Sequence, residues 1–172
     1  LFVFIIFMTY RSNFNKANGY QKEVDKAWGY VQSSYQRRAD LVPQLVATVK
    51  GAAENERGIL TAVTQARAGI VGAKTPEDME LMGKKINTAI NLAFEAYPQI
   101  RSTENFQALQ SQLEGTENRI NYARDEYNEK VAVYDAHITG FLNEMLLSKT
   151  RFPQKESFKA AEGSEKAPEV KF

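Results

Sequence analysis

The chain contains no cysteine and a single histidine among its 172 residues. The first absence excludes disulfides, thiolate metal sites and a cysteine nucleophile, and fits either side of a membrane. The second excludes the inward-facing Glu-x-x-His repeats of di-iron bundles, because the one histidine, His137, has Tyr134 three residues before it. Charge of one sign is also missing: Lys+Arg 22 against Asp+Glu 21 leaves a net charge of +1 and no basic field to hold nucleic acid. Arg37, Arg38 and Lys50 form a cluster too small for that task and without interleaved aromatics. No Gly-rich phosphate loop, Gly-x-Ser-x-Gly or His-Glu-x-x-His motif occurs. The carboxylates Glu54, Glu56, Glu114, Glu117 and Asp125 have the spacing of ordinary helix faces, with Arg119 and Arg124 near for ion pairing. The expectation is therefore no enzyme, no cofactor, no metal site and no nucleic-acid partner.

Long apolar runs are scarce, with one exception. Leu1-Phe2-Val3-Phe4-Ile5-Ile6-Phe7-Met8 opens a chain that does not begin with methionine. Ten helical residues reach only about 15 Å, half of a hydrocarbon core of about 30 Å. The run alone does not cross a bilayer, and it reads as the end of a transmembrane helix completed by upstream residues. Tyr10, Arg11 and Phe14 follow as an aromatic and basic belt suited to a membrane interface. Membrane lipid is the partner this stretch implies.

Period-two alternation is never sustained, and helical periodicity takes its place. Val24, Trp28, Val31, Tyr35, Arg38, Val42, Leu45 and Val49 recur at alternating steps of four and three, and Ala52, Glu56, Ile59, Val63, Ala66 and Ile70 continue the count. Pro43 interrupts this seam. Either one long helix kinks there, or a helix ends near Ala39 and Asp40 caps the next. Thr75-Pro76-Glu77-Asp78 is a strong helix start, followed by Met79, Met82, Ile86, Ala89 or Ile90, Ala93 and Tyr97. A last helix, capped by Ser102 or Thr103, has the seam Phe106, Leu109, Leu113, Glu117, Ile120, Arg124, Tyr127, Val131, Tyr134, Ile138, Phe141 and Met145. The pattern predicts an all-α fold, an antiparallel bundle of three to four long helices with an N-terminal transmembrane helix. Residues 1–10 form the end of the anchor, 11–19 a juxtamembrane segment, 20–148 the bundle and 149–172 a mostly irregular tail.

Charge on an apolar seam is costly unless paired. The four seam charges Arg38, Glu56, Glu117 and Arg124 are read as a structural ionic layer, with Arg38 pairing to Glu117 or Asp40 and fixing helix register. In the tail, the isolated apolar residues Phe152, Phe158, Val170 and Phe172 are candidates to dock in a groove on the bundle or on a neighbouring subunit.

Several separate motifs follow one another in order: Ala27-Trp28, Arg37-Arg38-Ala39-Asp40-Leu41-Val42-Pro43 and Glu95-Ala96-Tyr97-Pro98. Leu113-Glu114-Gly115-Thr116-Glu117 and Ala123-Arg124-Asp125-Glu126-Tyr127-Asn128 extend the series. These motifs carry a resemblance to the LemA family of bacterial envelope proteins. It implies an N-terminal anchor, a helical bundle outside the cytoplasm on the bacterial inner membrane, and no established enzymatic activity. Gln44 and Asn55 depart from the family's usual asparagine and histidine, which weakens any shared polar catalytic site. Together these readings predict a membrane-anchored structural or interaction protein that self-assembles as a homo-oligomer or joins other envelope proteins. The alternative is a ligand-sensing or regulatory extracytoplasmic helical domain.

Overall fold

A computed structural model describes residues 1–48, 53–96 and 104–159. Among them all regular structure is helical: α1 (Phe2–Thr48), α2 (Ala53–Gly72), α3 (Pro76–Ala96), α4 (Glu104–Ile138) and the two-turn α5 (Phe141–Leu146). The all-α expectation holds. Among the described residues no helix is long and apolar enough to cross a membrane.

The apolar run from Phe2 to Met8, the expected juxtamembrane segment and the Arg38 region form one uninterrupted 47-residue helix with Pro43 inside it. Asp40 therefore lies within α1 and begins no new helix. An interior proline costs about 3 kcal/mol through the lost N–H bond and the clash with the preceding turn. Around Pro43, however, Leu41, Val42, Leu45 and Val46 are all buried. Each such side chain contributes about 1.5–3 kcal/mol on burial, so packing outweighs the local defect.

The core follows the counted seams. Val24, Val31, Tyr35, Val42 and Leu45 of α1 meet Ile59, Val63, Ala66 and Ile70 of α2, Met79, Ile86, Ala89 and Ala93 of α3, and Leu109, Leu113, Ile120, Tyr127, Val131 and Tyr134 of α4 in one buried cluster. α1 packs on α4, α2 and α3, while α2 packs on α3. α1 and α4 run antiparallel: Asn13 lies by His137, Trp28 by Tyr127, and Arg38 by Leu113. The α4 seam stops at Ile138, because Phe141 and Met145, counted as its continuation, lie on α5 and are exposed. Phe106, Val49, Ala52, Tyr97, Ser102 and Thr103, also read as seam or cap positions, fall outside the residues or side chains described.

The start of α3 is closed as its sequence predicts. The Asp78 backbone N–H donates to Thr75 Oγ1 at 3.2 Å, and Asp78 Oδ2 accepts from the Lys74 and Thr75 N–H groups, both at 3.3 Å. These bonds, the Lys74 N–H foremost, hold the Asp78 carboxyl below its ordinary value.

Gly83 sets how closely α3 approaches α1. A Cβ there would stand 2.6 Å from Cε1 of the buried Tyr35 ring. Gly83→Ala is expected to lose about 1–3 kcal/mol through overpacking, despite the better helix propensity of alanine. Chemical denaturation with an unchanged midpoint would refute this close fit.

Candidate functional site

The seam charges Arg38, Glu117 and Arg124 enter two ion pairs that lie near Tyr35. Arg38 Nη1 meets Glu117 Oε2 at 3.0 Å and also donates to the Leu113 carbonyl at 2.9 Å and to Thr116 Oγ1 at 3.3 Å; its Nε donates to Asn87 Oδ1 at 3.0 Å. One guanidinium thereby ties α1 to α3 and α4. Its side chain is 12% exposed and that of Glu117 is 45% exposed, so the ion pair itself is well hydrated and contributes modestly. The bonds to the helix carbonyl and the α3 amide give Arg38 its position.

Arg124 does not complete the layer with Glu117. It pairs with Glu80 of α3 at 2.8 Å, donates to the Lys159 carbonyl at 3.0 Å and lies 4.9 Å from the Phe158 ring centroid. Asp40 pairs with Arg67 of α2 at 2.9 Å, leaving Arg38 to Glu117. The Glu56 side chain lies outside the described residues. Glu80 and Asn87 were missed as partners because neither sits on an apolar seam. A signal existed: Glu80, Gly83, Lys84 and Asn87 stand at i, i+3, i+4 and i+7, a polar stripe beside the apolar face of α3.

These groups line a cleft of about 440 Å³ with Tyr35, Lys84, Ile120 and Lys159. Four cations, Arg38, Lys84, Arg124 and Lys159, face two carboxylates, Glu80 and Glu117. Burial raises the Tyr35 hydroxyl above its ordinary value, with Arg124 opposing the rise and Glu80 and Glu117 adding to it. Tyr35 is thus a neutral hydrogen-bonding group, unsuited to act as a base at neutral pH. Among the described residues no group of three or more His, Asp or Glu side chains is placed to hold a metal ion.

The tail forms the second half of the site. Residues 152–159 lie in the groove between α1 and α4, with Phe152 and Phe158 buried. Phe152 meets Phe14 edge-on at 5.3 Å, and Phe158 stacks on Trp28 at 6.0 Å and meets Tyr127 edge-on at 5.5 Å. Six extended residues cover about 20 Å, while the fourteen helical residues from Phe14 to Trp28 rise about 21 Å. The tail therefore runs alongside α1 in step with it. α4 grips its backbone: Tyr134 and Tyr127 hydroxyls donate to the Pro153 and Glu156 carbonyls at 3.0 and 3.1 Å, and Asp135 Oδ1 accepts the Lys155 N–H at 3.2 Å. The Asn128 amide accepts from the Phe158 N–H at 2.8 Å and donates to its carbonyl at 3.0 Å, acting as a strand partner would. Of the tail residues expected to dock, Phe152 and Phe158 do so; Val170 and Phe172 lie outside the described residues. Phe14, read as an interface residue with Tyr10 and Arg11, is half-buried against Phe152 of the tail, while Tyr10 and Arg11 are exposed.

Burial, followed by Asp135 and Asp25, pushes both the Tyr127 and Tyr134 hydroxyls up to about 12. A tyrosine that ionises later in the folded chain supplies stability that is complete below the unfolded value near 10. That stability is lost as pH rises towards about 12. The tail is expected to detach over this window, and the double change Tyr127→Phe and Tyr134→Phe to blunt the alkaline transition. Hydrogen exchange is too fast there, so limited proteolysis after an alkaline pulse is the suitable readout; identical pH profiles for the two proteins would count against the assignment.

His137 serves the same end of the molecule. Its Nε2 lies 3.1 Å from the Asn13 carbonyl and its ring 5.2 Å from that of Tyr20. With Nε2–H donating, Nδ1 accepts from Asn143 Nδ2 at 3.4 Å, and that same amide donates to the His137 carbonyl at 2.8 Å. The histidine joins helix ends.

Most of the site, from Trp28 through the Arg38 node to the docked tail, lies in the part of the chain matched by the LemA family model, residues 27–172. Protein LemA of Metamycoplasma hominis is 21% identical over 162 residues, covering 92% of this chain and 74% of that protein. The extent of the family match settles the relationship: this chain belongs to the LemA family.

Proposed function

We propose that the chain is a membrane-anchored structural or interaction protein of the bacterial envelope, non-catalytic, with its antiparallel helical bundle on the extracytoplasmic side of the inner membrane. The observation that carries this reading is the projection of the apolar run from the core on the same continuous helix. Leu1 to Met8 are exposed on every side of α1, whereas α1 from Ala17 onward is buried along one face. Soluble helices do not leave eight consecutive large apolar residues in water. A bilayer entered by this run accounts for that exposure. The two ion pairs and the strapped tail read as devices that hold long helices at one alignment, and self-association through parallel anchors follows as a cyclic homo-oligomer. Carbonate extraction of membranes, external protease and native mass in detergent test the three parts. Release into the soluble fraction would remove the anchor, protection from external protease the orientation, and a monomeric mass the oligomer.

The cleft beside Tyr35 favours a second reading, a sensing domain for a small anion. Lys84 and Lys159 line it without an ion-pair partner among the described residues, beside two arginines that are already paired. Inorganic phosphate and a short dicarboxylate, titrated against the thermal midpoint, test it; a midpoint that tracks ionic strength alone removes it.

A further inference from the structure

α5 leaves three large apolar side chains in water: Phe141, Leu142 and Met145 are 81%, 57% and 75% exposed. On a helix, i, i+1 and i+4 share one face. The place of α5 in the molecule is fixed. Asn143 ties α5 to the His137 carbonyl, and His137 contacts Asn13 of α1, so α5 sits at the end of the molecule where the exposed apolar run of α1 begins. Tyr10 and Arg11 lie one turn from Asn13, at the depth an interface belt would occupy if residues 1–8 were in hydrocarbon. The surrounding charge has one sign in excess. Arg11 and Arg151 are exposed there, and the only carboxylate on α5, Glu144, is neutralised by Lys149 at 2.9 Å.

We propose that α5 is a second membrane contact, a short amphipathic foot whose Phe141, Leu142 and Met145 enter the headgroup and upper acyl region of an anionic bilayer beside the α1 anchor. The inference rests on the anchor reading and adds a partner for a different surface. An apolar face flanked by cations is the pattern of interfacial helices, in which buried apolar area and attraction to anionic headgroups act together. A foot beside the anchor fixes the rotation of the bundle about the membrane normal, which a lone helix cannot do. The face is too short to bind a bilayer alone, and its entry depends on the anchor holding it at the surface.

The absence of cysteine gives a clean test. Met145→Cys and, as a control, Tyr122→Cys on the exposed middle of α4 are labelled with an environment-sensitive fluorophore. The full chain is then reconstituted with vesicles of phosphatidylethanolamine and phosphatidylglycerol. The label at 145 is expected to brighten at least about twofold and to be quenched by spin-labelled lipid of shallow depth, whereas the label at 122 changes little. Phe141→Cys, an independent attachment point on the same face, should behave as position 145 does. If the chain floats with the vesicles and the label at 145 stays dim, the foot is overturned while the anchor stands. Brightening without lipid quenching places another protein copy on the face and also overturns it. A chain that does not float at all removes anchor and foot together.

Discussion

Arg38→Met is expected to lower the thermal midpoint by about 4–8 °C, a loss of about 2 kcal/mol in a chain of this size. The estimate turns on which bonds are lost. The contact with Glu117 is the least of them, because that carboxylate is 45% exposed and rehydrates when abandoned. The charge-assisted bonds to Leu113, Thr116 and Asn87 contribute more, about 1.5–3 kcal/mol each before non-additivity, and methionine recovers part of the sum by filling the site with apolar bulk. Thr116 keeps its own bond to the Leu113 carbonyl at 2.8 Å, so no fully buried orphan remains. A double-mutant cycle with Glu117→Gln should return a coupling of only about 0.5–1 kcal/mol. A coupling that equals the whole Arg38 effect would place the energy in the ion pair and contradict this account.

Phe158→Ala should act differently, as a local release. Truncating a buried phenylalanine costs about 3–5 kcal/mol, and here the loss falls on a segment that can open without the bundle. At about 1.4 kcal/mol per decade, opening of residues 152–159 becomes at least about 100-fold more frequent. Cleavage in that segment should rise accordingly, and Trp28, deprived of its stacked neighbour, should shift its emission to the red. The main thermal transition should move much less than the proteolysis rate. Global unfolding at a strongly lowered temperature, with no separate exposure of the tail, would show that strap and bundle are one cooperative unit.

The helices were legible because their core is periodic: Val31, Tyr35, Val42 and Leu45, or Ile120, Tyr127, Val131 and Tyr134, repeat at the spacing that packing demands. Arg38 and Glu117 were legible for the same reason, as charges that break a pattern. The partner of Arg124 was not, since Glu80 breaks no pattern and one charged residue beside a seam looks like any other. The fate of Pro43 turned on a comparison of magnitudes that only packing decides. The tail site was legible through Phe152 and Phe158, isolated apolar residues in a polar stretch. Its remaining determinants, the side-chain bonds from Asn128, Tyr134 and Asp135, recognise backbone groups, which every sequence possesses and none advertises. α5 was misjudged because Phe141 and Met145 keep the seam's spacing after α4, the helix that gave the spacing its meaning, has ended at Ile138.

The uninterrupted α1 has a mechanical consequence. Between Tyr10 and Arg38 lie 28 residues of helix, about 42 Å, with no joint among them. A helix of that length behaves as a lever: tilting its first turns by about 10° about a pivot near Tyr10 carries the far end sideways by about 7 Å. That is more than twice the 3.0 Å contact between Arg38 and Glu117. Bending stress applied at one end of this helix is therefore delivered, undamped by any hinge, to the guanidinium that ties three helices together.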